Sequence, residues 1–134
     1  MWTCNNCKRV FKSANQYHIC IQKDIGNLFL DRPDELVLLF DLLVTKLEKW
    51  QPNIYSACVN TIVFTNKKTW LVVKPMKTAL DLKIYSDDHL DSELIKTRSK
   101  YPNKIAYHIR IKSEDEIDNN LLELLRIGYD YANR

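Results

Sequence analysis

The sequence predicts an α+β protein, with a small Cys/His-rich N-terminal segment followed by an antiparallel sheet of three to four strands packed by flanking helices. Three observations predict it. Three of the four cysteines fall within the first twenty residues. The hydrophobic period changes from near 3.6 to 2 after Pro52, and it returns to a helical period after the acidic run at Ser113.

The 134 residues suffice for a real core, since a domain of this size hides roughly 68% of its unfolded surface. Hydrophobic residues at 46% and charged residues at 28% exclude a disordered or collagen-like chain. Gly26 and Gly128 are the only glycines, which excludes Gly-rich phosphate loops and the dinucleotide fingerprint. No apolar run reaches membrane-spanning length, and the opening MWTCNNCKRVFK lacks the apolar core of a signal peptide. A cytoplasmic protein with no membrane partner is expected.

The predicted units are a finger-like segment at 1–24 and an α+β domain at 25–134. A helix is expected at 33–50. Pro33 suits its start, Asp34 and Glu35 suit its positive end, and Leu36, Leu39, Phe40, Leu43, Leu47 and Trp50 recur at helical steps. Val37, Leu38, Leu42 and Val44 fill its other faces, which predicts burial on more than one side. Strands are expected at about 55–65, 69–75, 79–86 and 104–112, where apolar and polar residues alternate. The polar stretch before the last strand is read as a short helical turn near 92–98. Ser113-Glu114-Asp115-Glu116 is a capping box, so a final helix is expected at 114–132 with Ile117, Leu121, Leu124, Leu125 and Gly128 on one stripe.

The chemistry-bearing motif is Cys4-x-x-Cys7 followed by His18-x-Cys20. Two close pairs of thiolate and imidazole ligands complete a tetrahedral shell, and Zn²⁺ prefers this donor set. A closed shell leaves no position for catalysis. A segment this small cannot fold on apolar burial, and zinc contributes about 10–16 kcal/mol in finger peptides. Alternatives are a metal-free reduced tail and a shell in which Cys58 replaces His18, although Cys58 also reads as a buried thiol.

The pattern Trp2-x-Cys4-x-x-Cys7-x-Arg9-x-Phe11, then Asn15-Gln16-x-His18-x-Cys20, resembles the N-terminal finger of bacterial proteins carrying the domain of unknown function numbered 5655. The apolar helix after Pro33, the hairpin strands, and the acidic capping box before the helix with Gly128-Tyr129 resemble that domain as well. The resemblance implies an architecture and no activity. Where those fingers carry Pro and Gly after the two cysteines, this chain has Asn5 and Lys8. A more distant likeness is to small iron-chaperone-like α/β domains.

No catalytic constellation emerges, so the expectation is a zinc-stabilised binding module recognising a protein or nucleic-acid partner without catalysis. Two places are candidates for contact. Lys83, Tyr85, His108 and Arg110 fall on the outward positions of their strands, and form a possible ligand or partner face. Lys8, Arg9 and Lys12 make the finger basic and suit phosphate contacts, with Trp2, Trp70 and Tyr85 as stacking aromatics. The alternative is a small-molecule-binding or enzymatic domain working through Lys83, His108 and Arg110.

Overall fold

The computed structural model describes residues 1–5, 10–11, 13–15 and 25–134. Strands β1 (Trp2–Thr3) and β2 (Val10–Phe11) pair antiparallel, with Trp2 opposite Phe11 and Thr3 opposite Val10. A 3₁₀ turn at Gly26–Phe29 leads into helix α1, Asp34–Leu47. Pro33 is its N-cap, with extended backbone at ψ 151°, so Asp34 and Glu35 occupy the first turn where the helix dipole favours them. Beyond Leu47 the backbone is capped by side chains: Asn53 Nδ2 donates to Leu47 O at 3.1 Å and Gln51 Nε2 to Glu48 O at 2.8 Å. Trp50 therefore lies past the helix. Leu36, Leu39, Phe40, Leu43 and Leu47 are buried, Val37, Leu42 and Val44 are half-buried, and Leu38 is 57% exposed. Burial thus follows one broad stripe, not several sides.

The sheet has six antiparallel strands in the order β3-β4-β5-β6-β8-β7. They are β3 (Ile54–Ala57), β4 (Ile62–Thr65), β5 (Thr69–Pro75), β6 (Leu80–Ser86), β7 (Ile95–Tyr101) and β8 (Lys104–Ile111). The expected three to four strands are too few for two physical reasons. The stretch 55–65 alternates continuously yet folds back on itself. Ala57 pairs with Ile62, and Cys58 N donates to Thr61 O at 2.7 Å, closing a tight hairpin. The stretch expected to form a helical turn at 92–98 instead begins β7. Only Ile95 of β7 is buried and the other residues are exposed, so no alternation marks it as a strand. It is an edge, and Lys96 and Lys100 on it deter pairing with another chain.

Both helices cover one face. Leu71, Leu82, Ile84 and Ile109 point to that face and are at most 1% exposed. Helix α2 (Asn119–Ala132) packs on β5 and β6, while Phe40 of α1 stacks its ring edge-on to Phe64 of β4 at 6.5 Å. The capping sequence at Ser113 does not start α2 itself. It closes a 3₁₀ turn at Glu114–Glu116, where the Glu116 carboxylate accepts from Lys112 N at 2.8 Å and Ser113 N at 3.2 Å. The chain leaves helical geometry at Ile117, and Asp118 then caps α2 by accepting from Leu121 N at 3.0 Å.

A β-bulge shapes the core at the start of β5. Phe64 pairs with Leu71 and Thr65 with Thr69, so Trp70 is the extra residue. A bulge puts two successive side chains on roughly the same side of a strand. Trp70 and Leu71 are accordingly both 0% exposed. The Trp70 ring meets Tyr129 of α2 edge-on at 5.2 Å, and its indole N–H donates to Asn53 Oδ1 at 3.0 Å. Tyr129 completes the junction by donating its hydroxyl to Pro52 O at 2.8 Å, and burial pushes its phenol pKa up.

Helix α2 approaches β6 most closely at Gly128. A Cβ there stands 2.9 Å from Ile84 Cβ and 3.2 Å from Ile84 Cγ2. Ile84 is a branched residue held in a central strand and cannot withdraw. Gly128→Ala is therefore expected to destabilise the protein by about 1–3 kcal/mol from overpacking, partly offset by the roughly 1 kcal/mol that alanine gains in a helix. Urea unfolding followed by tryptophan fluorescence measures the difference.

Candidate functional site

The face of the sheet opposite the helices carries the polar half of each strand's alternation. The register sets its pairs. Lys83 of β6 stands opposite Val72 of β5 and His108 of β8, and Asp81 stands opposite Lys74 and Arg110. Tyr85 stands opposite Ala106, and Thr97 of β7 extends the row beyond His108. Lys83, Tyr85, His108 and Arg110, separated by more than twenty positions in sequence, thus share one patch.

Asp81 organises the middle of it. His108 Nδ1 lies 3.2 Å from Asp81 Oδ2, and Arg110 Nη2 lies 3.9 Å from Asp81 Oδ1. The three side chains are 30%, 35% and 18% exposed for His108, Arg110 and Asp81. Partly exposed pairs of this kind contribute about 0–1 kcal/mol, so their effect is to orient the imidazole and guanidinium more than to hold the sheet. Lys83 Nζ sits 5.5 Å from the Tyr85 ring centroid, and Lys104 Nζ of β8 sits 4.3 Å from the same ring.

Charge is segregated by element. The six strands carry Lys74, Lys83, Lys96, Arg98, Lys100, Lys104 and Arg110, and their one carboxylate is Asp81. The carboxylates of this region gather elsewhere, in the turn at Glu114–Glu116 and on α2 and its cap. Asp87, just after β6, is bound by Arg134 through a 2.7 Å ion pair. That guanidinium holds the Asp87 carboxyl below the usual carboxylate range.

Other expected positions lie apart from this face. Cys4 is 7% exposed and directly follows β1. Cys7, His18 and Cys20, together with Lys8, Arg9 and Lys12, lie outside the described residues. Among the described residues, no group of three or more His, Cys, Asp or Glu side chains is placed to hold a metal ion. Cys58 is half-buried in the β3–β4 turn, less enclosed than a core thiol. Trp70, expected as an exposed stacking aromatic, is wholly buried because the bulge turns it inward.

Several members of the face escape sequence reasoning. Asp81 reads as a loose carboxylate until β6 and β8 are placed in register. Lys74 requires the β5–β6 register, and Thr97 requires recognition of β7, whose Arg98 and Lys100 stand opposite Tyr107 and Ile105 on the helix side. The alternation of β6 and β8 was the available signal, and it assigns a side of the sheet without assigning neighbours.

A cleft of ≈ 290 Å³ adjoins the face at Arg110, lined also by Glu93, Leu94, Lys96, Lys112 and Glu116. Neither His108 nor Lys83 lines it, so the polar groups do not converge on one enclosed space. No helix among the described residues is long and apolar enough to cross a membrane.

The family model described as Domain of unknown function (DUF5655) matches residues 25–132. The chain belongs to this family. No curated protein and no solved structure matches it significantly. The DUF5655 match contains α1, the six-stranded sheet and α2 complete, and it begins after the Cys/His cluster. The sheet face opposite the helices therefore lies within the DUF5655 match.

The Asp87–Arg134 pair gives a direct check on the charges flanking this face. Because the folded carboxyl titrates below its ordinary range, the pair stabilises above that range and is lost as pH falls through the lowered pKa. Arg134→Ala is expected to return Asp87 to ordinary carboxylate titration, read from its side-chain carbonyl resonance by NMR. Both groups are exposed, so little change in global stability is expected.

Proposed function

We propose that this chain is a non-catalytic recognition domain that binds nucleic acid across its uncovered sheet face. One observation carries the reading: on that face Lys74, Lys83, Lys104 and Arg110 stand against one carboxylate, Asp81, which is already engaged by His108 and Arg110. A surface of this kind attracts phosphates and releases their counterions, which supplies affinity without sequence readout. Tyr85 adds a ring on which a base can stack. The distance along β6 from Asp81 to Tyr85 is about 13 Å, enough for a short stretch of backbone.

The N-terminal segment enters this reading as a zinc-stabilised finger, with Cys4, Cys7, His18 and Cys20 as the ligands. The β1–β2 pairing supports it, because both members of Cys4-x-x-Cys7 fall in sequence between the two paired strands. Two close thiolates form half of a tetrahedral shell. Lys8, Arg9 and Lys12 give such a finger positive charge of its own.

The Asp81–His108 pair favours a second reading, in which an oriented imidazole acts on a small molecule. The open arrangement of Lys83, His108 and Arg110 weighs against it, since acid–base catalysis needs groups converging on one reacting atom.

Fluorescence anisotropy with labelled mixed-sequence DNA and RNA oligonucleotides tests the main reading. Binding is expected to weaken linearly with log salt. Replacing Lys83 and Arg110 together by alanine is expected to reduce the slope by about one per lost phosphate contact. Absence of binding at low salt overturns the proposal. Elemental mass spectrometry on protein purified without chelator tests the finger: about one zinc per chain is expected, lost in Cys7→Ser.

A further inference from the structure

A second feature lies where the sheet ends. There β5 begins, β6 ends, β8 begins and α2 finishes, and a cleft of ≈ 270 Å³ opens between Lys68, Thr69, Tyr85, Lys104, Tyr131 and Ala132. Two tyrosine rings and two lysines share this space, and no carboxylate lines it. Each ring has an ammonium above it. Lys68 Nζ is 5.5 Å from the Tyr131 centroid, and Lys104 Nζ is 4.3 Å from that of Tyr85. The nearby carboxylate of Asp87 is bound by Arg134, whose guanidinium lies 5.0 Å from the Tyr131 ring.

We propose that this cleft is a stacking subsite for one nucleobase of a single-stranded nucleic acid, with Tyr131 and Tyr85 as the stacking surfaces and Lys68 and Lys104 on the adjoining phosphates. The inference rests on the nucleic-acid reading of the sheet face, to which Tyr85 connects it. Both rings are half-buried, and a base stacked on such a ring gains at least as much as an ammonium near it. The lysines therefore yield the ring faces and swing to the phosphates, where their charge is better used.

Polarity within the cleft orients the ligand. Helix α2 ends at Ala132, and the partial negative charge of a helix C-terminus disfavours phosphate close by. The neutral base suits the Tyr131 side. The phosphates suit the Tyr85 side, where Lys83 and Lys104 both approach the ring.

The test uses the full chain and short single-stranded oligonucleotides carrying 2-aminopurine, whose fluorescence falls on stacking. Quenching on binding is expected for the wild type and for Tyr131→Phe. Tyr131→Ala is expected to lose the quench and to weaken binding by about 5- to 150-fold, the range for one stacked base. Lys104→Ala is expected to keep the quench and lower the salt slope, a separation that a merely structural role does not produce. Circular dichroism confirms that each variant is folded, and Tyr131→Leu substitutes if Tyr131→Ala is not.

The outcomes separate the two proposals. Salt-dependent binding with no quench, and Tyr131→Ala equal to wild type, overturns the cleft and leaves the sheet face standing. Adenosine monophosphate perturbing the Tyr131 ring resonances, with no oligonucleotide binding at low salt, retains a nucleotide cleft and overturns the nucleic-acid reading. No oligonucleotide binding at low salt, together with no perturbation of Tyr131 or Tyr85 by either ligand, overturns both.

Discussion

The close approach of α2 to the sheet at Gly128 and Ile84 is the constraint on which the rest of the molecule depends. With a Cβ position only 2.9 Å from Ile84 Cβ, no other residue lets the helix lie so near β6 without a shift. That depth brings Tyr129 within reach of Trp70 and of the carbonyl of Pro52. It also lets Asn66 act as a buried link. Fully enclosed in the β4–β5 turn, Asn66 donates from Nδ2 to Tyr129 O at 2.9 Å and accepts from the backbone of Lys67 and Lys68. A buried amide is tolerated only when its bonding capacity is met, so this turn and helix fix each other. Two residues beyond Tyr129, the same helix position sets Tyr131 against Lys68 at the sheet end.

Placing both helices on one face has an electrostatic consequence. Apolar side chains on β5, β6 and β8 are used up beneath α1 and α2, and the other half of each alternation must face away. Among its residues Lys74, Lys83, Lys104 and Arg110 are positive and Asp81 is the one carboxylate, beside Val72, Tyr85, Ala106 and His108. Helix α2, on the opposite side, and the turn before it gather the acidic residues. Charge on this part of the surface is therefore more one-sided than a formal net charge of +3 suggests, because most carboxylates of the region lie on other elements. Where pairs do form on the basic face, they engage its one carboxylate and leave Lys74 and Lys83 as additional cations nearby.

The sequence made the large periodic elements legible and left the irregular ones obscure. Leu80, Leu82 and Ile84 against Asp81, Lys83 and Tyr85 is unambiguous alternation, since a buried strand face tolerates no break in period. The hairpin within 55–65 was hidden because a tight turn at Cys58–Thr61 preserves the alternation on both sides of it. Strand β7 was hidden for the opposite reason. An edge strand with only Ile95 buried needs no apolar pattern, and backbone pairing with β8 is what defines it. The inward turn of Trp70 depends on a register shift, which is a property of two strands together and is written in neither alone. The same holds for the candidate site: each of Lys83, His108 and Arg110 could be assigned an outward side, but Asp81 joined them only through cross-strand register.

The proposed recognition role rests on how the titratable groups are distributed. A reacting centre requires acid, base and charge stabiliser within reach of one atom, enclosed enough to strengthen their fields. Here His108 spends Nδ1 on Asp81, Lys83 lies over Tyr85, and Arg110 faces a different cleft beside Glu93 and Glu116. Each polar group has its own local partner along a broad surface. Such a distribution is poor for concentrating charge at a point and well suited to a ligand whose charge repeats along its length. The tyrosines bear on the same proposal: Tyr85 and Tyr131 line one cleft at the end of the sheet, with a lysine near each ring.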